Sequence, residues 1–351
     1  MKVDVKTLRK ALEVVKPGAS KKTVVEQMSH FIFTETEVTT YDDQICISYP
    51  VETGLKCTVK VDSLSKFISK VDVESLKIDL ENDILICKGQ GIESEIPVLL
   101  DQDIYKHVAE VQKQRKSVKW ESIPEQLISA MGFCMFAAST DETKGTAVCV
   151  AVFGKDVIAN DRHRCGWCEL EEPAPTDFMI NARSVSELCK FGGFDKICVS
   201  DSWVHFKTKD KATFHVRRNV GEYPVEVCKE IFESMTGGEL KLSPKDAESI
   251  KEAVETASIF AEEVVLDKTV EITIEDKRII CKGGTAEVGK VTRRKSLELE
   301  YSGGHLTFLI NPTFLLQSLN RDIPARIIVS ERLIELRSDN FRHAISLKNP
   351  S

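Results

Sequence analysis

The sequence lacks the long apolar run that a membrane-spanning helix requires. No stretch approaches the roughly 18 consecutive apolar residues of such a helix. The first residues, MKVDVKTLRKALEVVK, carry a charge every few positions, where a signal peptide would have an apolar segment. With 42% hydrophobic and 29% charged residues, the composition is that of a soluble globular protein. We therefore expect a cytoplasmic protein that has no membrane partner.

The eleven cysteines lack the spacing of a disulfide framework. Most stand singly in apolar segments such as QICIS, ILICK and KICVS, a pattern typical of buried thiols in a reducing compartment. The exception is Cys165-Gly-Trp-Cys168, which lies close to His163 and leaves a thiol-redox or metal-binding protein as the alternative function. A redox pair favours a helix N-terminus. Here the pattern predicts a strand, on which residues three apart point to opposite faces, and no second pair of zinc ligands lies nearby.

Recognisable catalytic motifs are also absent. The sequence contains no Gly-rich phosphate loop, no Gly-x-Ser-x-Gly elbow and no His-Glu-x-x-His motif. It therefore predicts no catalytic residue, no metal and no cofactor. The net charge of −7 argues against indiscriminate binding of nucleic acid, but it leaves room for a local basic face.

What the chain does contain is one pattern repeated three times. Helix-like segments begin near residues 4, 123 and 243, and the interval of about 120 residues is the size of a small domain. In the third segment, Ser243 is the predicted N-cap and Pro244 the first helical residue. The apolar stripes are Leu8, Ala11, Leu12 and Val15; Leu127, Met131, Cys134 and Ala138; and Ala247, Ile250, Val254 and Ala257.

Each opening helix is followed by alternating strand-like runs, a second helix and another strand pair. The second helices are VDSLSKFISKV, INARSVSELCKFGG and INPTFLLQSLNRD. Turn signals between the runs indicate antiparallel strands, with one face covered by the two helices. The predicted class is α+β, with three repeated domains at 1–115, 120–236 and 240–351. The basic segment VQKQRKSVKW, 111–120, is interpreted as a flexible linker.

Two motifs add a resemblance to a known family. Asn160-Asp161-Arg162-His163-Arg164-Cys165 is similar to the Thr-Asp-Gly-His-Arg-Leu turn of bacterial-type DNA polymerase III beta subunits, the β sliding clamps, and VGEYPVEV resembles their Asp-Gly-Arg-Phe-Pro-Asp-Tyr segment. The resemblance covers the whole chain. It implies three DNA-clamp domains per chain and a head-to-tail homodimer that forms a six-domain ring. Such a ring encircles double-stranded DNA without reading its sequence, tethers a polymerase and has no catalytic activity.

The resemblance also implies which residues face DNA and which close the ring. A sliding ring needs Lys and Arg toward phosphates on its inner wall, although each of these residues could equally belong to an ordinary solvated surface. The DNA-facing candidates are Lys6, Arg9, Lys10, Lys21, Lys22, Lys66, Lys70, Lys144, Arg183, Lys190 and Arg321. The dimer-interface candidates are Ile92 and Ile96 on a strand of the first domain, and Ile259 and Phe260 after the first helix of the third.

A partner cleft between the second and third domains is the last expectation. In the family, it binds a short peptide motif of the replicative DNA polymerase and of the clamp loader. The candidate residues are Ala147, Asn160, Arg162, His163, Arg164, Cys165, Pro224, Cys228, Ile345 and Leu347. Arg162 stands where the family has Gly, and Cys165 stands where it has Leu. These departures fit a divergent or phage-encoded member whose peptide preference differs.

Overall fold

The computed structural model of the protein describes residues 1–20, 26–100, 102–261, 268–275, 277–298, 305–321 and 323–348. Two of the DNA-facing candidates, Lys21 and Lys22, lie outside these residues. Within them, no helix is both long and apolar enough to cross a membrane.

The elements follow in chain order. The α-helices are α1 Val5–Val15, α2 Val61–Lys70, α3 Gln102–Lys116, α4 Leu127–Cys134, α5 Ala182–Leu188, α6 Val225–Glu233, α7 Pro244–Ala257 and α8 Pro312–Leu319. The strands are β1 Lys2–Asp4, β2 His30–Thr34, β3 Glu37–Tyr41, β4 Ile45–Pro50, β5 Cys57–Lys60, β6 Ser75–Glu81, β7 Ile84–Gly89, β8 Ile92–Leu99, β9 Glu121–Ser122, β10 Cys149–Phe153, β11 Asp156–Asn160, β12 Arg164–Glu169, β13 Phe178–Asn181, β14 Phe194–Val199, β15 Trp203–Thr208, β16 Thr213–Asn219, β17 Gly238–Lys241, β18 Val270–Glu275, β19 Arg278–Thr285, β20 Gly289–Ser296, β21 His305–Ile310, β22 Arg326–Val329, β23 Leu333–Arg337 and β24 Phe341–Lys348. Short 3-10 helices cover Lys16–Gly18, Glu26–Ser29, Met135–Ala137 and Glu142–Val148.

The predicted helices are confirmed, and so are their buried faces. All twelve residues of the three apolar stripes are buried. At the start of α7 the predicted cap is present as a capping box, in which Ser243 and Asp246 each accept a hydrogen bond from the other's backbone N–H. Helices of this length are held by burial of such a face more than by intrinsic propensity, which is why the apolar spacing located them.

The first compact unit comprises Met1–Ile123 and Arg183–Asn219. Its strands form a continuous series of antiparallel pairs in the order β1–β6–β7–β8–β5–β2–β3–β4–β16–β15–β14–β9. Strand β4 of the first repeat is thereby joined to β16 of the second. The α1 and α2 helices pack together and supply buried residues to the core of this unit.

The second compact unit comprises Pro124–Ala182 and Val220–Ser351. Its pairs run β13–β10–β11–β12–β24–β23–β22–β17, and the end of β24 also pairs with β21, which continues through β18 and β19 to β20. These antiparallel ladders and their covering helices confirm the α+β class. The three domain boundaries stay a prediction, since strands of the middle repeat belong to both units.

The interpretation of 111–120 as a flexible linker is wrong. The segment falls largely within α3, a helix of 15 residues. Ile104, Val108 and Val111 of this helix are buried against Tyr41 and Trp203. The basic residues that suggested a linker lie on the rest of the helix surface, where they leave the apolar stripe uninterrupted.

Candidate functional site

The most distinctive local geometry is the turn that joins β11 to β12. The Oδ1 atom of Asp161 accepts hydrogen bonds from the backbone N–H groups of His163 and Arg164, both at 3.0 Å, and Asn160 Oδ1 accepts from the N–H of Arg162 at 2.7 Å. Arg162 has a φ of 74°, in the left-handed region that favours glycine. The two side-chain caps hold a non-glycine residue in that conformation.

Arg164 is a buried residue that supports the turn through its side chain. Its side chain is 6% exposed, and its Nε donates to Asp161 Oδ2 at 2.9 Å. It also donates to Gln317 Oε1, and its guanidinium lies 4.2 Å from the centre of the Phe314 ring. Burial lowers the pKa of Arg164, while the pairing with Asp161 opposes that shift. A buried cation with a carboxylate, an amide oxygen and a ring face is fully engaged, so Arg164 supports the site and is not free to take a ligand.

The turn is also fastened to the last strand. The carbonyl oxygen of His163 accepts from the backbone N–H and from the hydroxyl of Ser346, at 2.8 and 2.9 Å. Arg164 then pairs with Ile345 as β12 and β24 run antiparallel. The imidazole of His163 stays exposed, 6.5 Å from the Phe314 ring.

The ten predicted cleft residues divide into an accessible set and a buried set. Arg162, His163 and Pro224 are exposed, and Ala147, Asn160 and Leu347 are half-buried. The buried members are Arg164, Cys165, Cys228 and Ile345. A partner would therefore touch the first six, and the buried four shape the surface from behind. Their assignment as a partner site stays a prediction.

The two cysteines of the Cys-Gly-Trp-Cys motif do not form a redox pair. Cys165 packs in a cluster with Cys228 and Trp167, whereas Cys168 lies on the other face of β12, beside Cys134. Burial raises the pKa of the Cys168 thiol to about 11, which leaves it protonated at neutral pH. A hydrogen bond from Cys165 to Cys228, together with burial, raises the pKa of Cys165. The thiol-redox alternative has no support.

The metal-binding alternative also has no support in the described part of the chain. No group of three or more His, Cys, Asp and Glu side chains is arranged there to hold an ion. The ring of His163, the third member of the suspected zinc set, has its centre 6.5 Å from that of the Phe314 ring.

The predicted DNA-facing cations fall into engaged and unengaged sets. Arg9 is engaged: its guanidinium donates to the carbonyl oxygens of Ile68 and Val71, at 3.0 and 2.6 Å, and so closes the C-terminal end of α2. Three others are ion-paired, in the pairs Lys10–Asp210 at 2.9 Å, Arg183–Asp42 at 3.4 Å and Lys190–Glu187 at 2.7 Å. The exposed cations without an ion-pair partner among the described residues are Lys6, Lys66, Lys70, Lys144 and Arg321. Contact with DNA stays a prediction for all of them.

The four dimer-interface candidates differ in how far their side chains are exposed. Ile259 and Phe260, two large apolar residues that follow the end of α7, are 66% and 37% exposed. Ile92 is half-buried, and Ile96 is only 5% exposed because it faces the core side of β8. Ile96 can therefore enter an interface through its backbone, and not through its side chain.

Sequence reasoning missed the residues that support the turn. Phe314 and Gln317 belong to α8, about 150 positions after Arg164, and they meet it only because β24 brings the two segments together. The α6 helix was missed as well, although its sequence VEVCKEIFE buries Cys228 and Phe232 four residues apart. That spacing is a readable helical signal.

The ordered threefold repeat and its sheet junctions define a three-repeat DNA clamp fold. No protein-family model matches the chain, and no curated protein does. Solved structures do match along the full length. The DNA polymerase sliding clamp of Bacillus subtilis is 20% identical, with a TM-score of 0.81, over 100% of this chain and 99% of that one. The DNA polymerase beta subunit of Streptococcus pyogenes is 20% identical, with a TM-score of 0.80, over 99% of both chains. The Pseudomonas aeruginosa clamp bound to griselimycin is 16% identical, with a TM-score of 0.78, over 100% and 99%. At such identities the likeness establishes the fold.

Proposed function

We propose that this protein is a DNA sliding clamp: a non-enzymatic, cytoplasmic homodimer that encircles double-stranded DNA and tethers a replicative polymerase. The observation that carries the proposal is the full-length structural match to bacterial DNA polymerase sliding clamps. A fold alone does not determine a function. Here the local geometry points the same way, because the turn at Asn160–Arg164 has the form that a recognition surface needs.

The DNA contact is expected to be electrostatic and independent of sequence. The exposed candidate cations of the first repeat lie on α1 and α2, where Lys6, Lys66 and Lys70 form no ion pair with a described carboxylate. Such groups bind phosphates by releasing counterions, so affinity falls steeply with salt. A closed ring would nevertheless stay on DNA at high salt, because its hold is topological.

Retention on circular DNA tests the proposal. The protein is dissociated and reassociated in the presence of nicked circular DNA and then washed at high salt, which removes electrostatically bound protein. We expect the surviving complex to contain two chains of 39.3 kDa and to release them when the circle is cut by a restriction enzyme. Equal retention on circular and linear DNA, or none on either, would contradict the proposal.

The partner surface is expected to centre on Arg162, His163, Pro224 and Leu347. Exposed and half-buried side chains surround a rigid, hydrogen-bonded turn there, which suits a short peptide with an apolar anchor. The polymerase and the clamp loader are the proposed partners. Griselimycin is a usable probe, since it is bound to the Pseudomonas aeruginosa clamp in a solved structure.

Arg162 provides a matched comparison for that surface. Wild type, Arg162→Gly and Arg162→Lys are titrated with griselimycin and with peptides from the polymerase of the same genome, and binding is followed calorimetrically. We expect Arg162→Gly to change affinity at least about tenfold, because both the charge and the side chain leave the accessible face. The Lys variant retains the charge and should change affinity less. Identical affinities for all three proteins would exclude Arg162 from the partner surface.

A further inference from the structure

Two thiols lie in contact behind the proposed partner surface. Cys165 is the second residue of β12, and Cys228 lies in α6, about one helical turn after Pro224. Both belong to one packed cluster with Trp167, and a hydrogen bond joins the two thiols. This pair is distinct from Cys165 and Cys168, whose side chains lie on opposite faces of β12.

Asn160 connects this thiol pair to the turn that joins β11 to β12. Its Nδ2 atom donates to Cys228 Sγ at 3.5 Å, and its Oδ1 atom accepts from the backbone N–H of Arg162 at 2.7 Å. The sulfur of Cys228 therefore receives two hydrogen bonds, one from Cys165 and one from Asn160. Any chemical change at this sulfur acts on the side chain that caps Arg162.

Two donors directed at one sulfur favour its thiolate form. The hydrogen bond from Cys165, supported by that from Asn160, lowers the pKa of Cys228 although burial opposes the shift. The same hydrogen bond, together with burial, raises the pKa of Cys165, so the pair combines one nucleophilic sulfur with one thiol that carries a proton. Other buried cysteines of the second unit differ, because burial raises their pKa: these are Cys134, Cys149, Cys168 and Cys281.

We propose that Cys228 and Cys165 are a modification site, at which a hydroperoxide forms a disulfide that draws α6 toward β12 and weakens binding of the partner peptide. This inference rests on the partner surface of the proposed function and assigns its regulation. Disulfides in a reducing compartment are usually transient and respond to the redox state, which is the behaviour expected of this pair.

The reaction with hydrogen peroxide takes two steps. The thiolate of Cys228 attacks one peroxide oxygen and the O–O bond breaks, which gives a sulfenic acid and a hydroxide ion. The sulfur of Cys165 then attacks the sulfenic sulfur, and the S–O bond breaks as the oxygen leaves with the proton of Cys165 as water. The hydroxide ion takes up the proton that Cys228 had lost, so two thiols are oxidised and the peroxide is reduced to water. A reducing thiol reverses the bond by exchange.

Burial selects a small oxidant for this pair. Cys228 and Cys165 are 0% and 2% exposed, so a bulky alkylating agent does not reach either sulfur in the folded state. Hydrogen peroxide is little larger than water and needs only a local opening of the cluster. Cys189 is exposed and open to either reagent, so it is replaced by Ser in the experiments.

The disulfide would change the partner surface on both sides of the pair. An S–S bond is about 2.05 Å long, much shorter than the separation of two hydrogen-bonded thiols, so α6 and β12 must approach each other. Pro224, which caps the N-terminus of α6, moves with that helix. On the other side, Asn160 loses its contact with Cys228 and holds the backbone of Arg162 less firmly.

The competing explanation is that both cysteines are small apolar residues that fill the cluster. Under that explanation, peroxide links no particular pair and leaves partner binding unchanged. Cys134 and Cys168 are a matched control within the same unit, since they are also buried beside each other but burial raises the pKa of both thiols.

Peptide mapping tests the chemistry. The full-length Cys189→Ser protein is treated with hydrogen peroxide, alkylated after unfolding, and digested without reductant for mass spectrometry. We expect a link between Cys165 and Cys228 that forms at least about tenfold faster than any link between Cys134 and Cys168. Dithiothreitol should reverse the link, and adding Cys228→Ser should abolish it. Absence of the link, or equal rates for the two pairs, would overturn the inference.

Calorimetric titration with griselimycin and with peptides of the polymerase tests the control of the surface. We expect the oxidised Cys189→Ser protein to bind at least about tenfold more weakly than the reduced protein, and dithiothreitol to restore its affinity. The protein that also carries Cys228→Ser should bind equally before and after peroxide, which excludes oxidation elsewhere as the cause. A complete link with unchanged affinity refutes the regulatory role.

The outcomes separate this inference from the proposed function. If the link forms and weakens peptide binding but no dimer is retained on circular DNA, the clamp function fails while the inference stands. If the reduced protein is retained on circular DNA and binds peptide but no link forms, the function stands and the inference fails. If the reduced protein binds neither griselimycin nor the polymerase peptides, the partner surface is refuted, and its regulation with it.

Discussion

Acidification below pH 6.5 should destabilise the first unit, because two neutral histidines are buried there. His205 and His215 face each other with 2.7 Å between their Nδ1 atoms, and both are fully buried. The Nε2 atom of His205 lies 3.0 Å from the hydroxyl of Ser200, which can donate to the carbonyl of Trp203. If His215 Nδ1 donates to His205 Nδ1 and His205 Nε2 donates to Ser200, each of these three side chains has an acceptor for the proton that it donates in this series of hydrogen bonds. This arrangement requires both rings to be neutral.

The sign and size of the effect follow from the pKa values. Burial lowers the pKa of His205 to about 3, and burial, followed by the proximity of His205 and of Arg115, lowers that of His215 well below its ordinary value. In the unfolded chain each imidazole titrates near pH 6.5, so below that pH the unfolded state binds protons that the folded state does not bind. The contribution of the two neutral histidines to the free energy of unfolding is fully present above pH 6.5 and is lost as the pH falls below it. Each histidine costs about 1.4 kcal/mol per pH unit, so the pair removes about 3 kcal/mol between pH 7.5 and 5.5.

The assay is urea unfolding followed by the fluorescence of Trp120 and Trp203, which both lie in the first unit, in a Trp167→Phe background. A variant that carries His205→Phe and His215→Phe keeps two packed rings and removes both titrations. We expect it to lose about 3 kcal/mol less than its parent between the two pH values. His107→Phe, which changes an exposed ring on α3, is the control and should retain the full pH dependence. An equal loss in the double variant and its parent would refute the reasoning.

Three further predictions follow from single contacts. Arg9→Met should lower the unfolding free energy of the first unit by about 1.5–3 kcal/mol, because two carbonyls lose a charged donor. Lys66→Met should leave the unfolding free energy unchanged and should reduce the slope of DNA-binding affinity against salt concentration, on logarithmic scales, by about one. Denaturation and salt titrations of both variants test these two outcomes. Ser243→Ala should cost about 1 kcal/mol in denaturant unfolding by removing the cap of α7, and a cost near zero would contradict that role. His343→Leu should leave the second unit as stable as wild type, or up to about 1 kcal/mol more stable, in urea unfolding at pH 7.5. The reason is that neither ring nitrogen of this buried histidine has a hydrogen-bond partner among the described residues. A loss of more than about 1 kcal/mol would indicate a hydrogen bond on which the fold depends.

The sequence was most informative where one short segment decides its own structure. The α1, α4 and α7 helices bury the apolar stripes read from their spacing, except that Ala138 lies just after the 3-10 helix that follows α4, and Ser243 caps α7 as expected. The same reasoning applied to α3 and α6 would have found both helices. Basic residues at 112–119 and a Tyr-Pro pair before α6 are typical of linkers and turns, although the apolar residues of both helices keep spacings of three and four.

Contacts between distant segments lay beyond that reasoning. No periodicity indicates that Lys10 pairs with Asp210, or that Arg9 closes the end of α2. Both cations look like solvated lysine and arginine on an amphipathic helix until the second segment is in place. Candidate phosphate contacts can therefore be enumerated from a sequence, but their availability depends on tertiary pairing.

The repeated fold builds the same turn twice and leaves one copy open. In the first repeat, Asp42 Oδ1 caps the N–H groups of Gln44 and Ile45, as Asp161 does in the second, and Asp43 has a φ of 71°, matching the 74° of Arg162.

The two turns differ in what surrounds them. Tyr41, at the position of Asn160, is buried and stacks on His107 of α3, and Asp43 is ion-paired with Arg217 at 2.6 Å. The equivalent of Asp43 in the second turn is Arg162, which is exposed and has no ion-pair partner in the described part of the chain. The α3 helix and the Asp43–Arg217 ion pair thus occupy the first turn with the chain's own groups. One partner surface per chain is what this asymmetry predicts, and its charge at Arg162 favours a partner peptide with an acidic residue near its anchor.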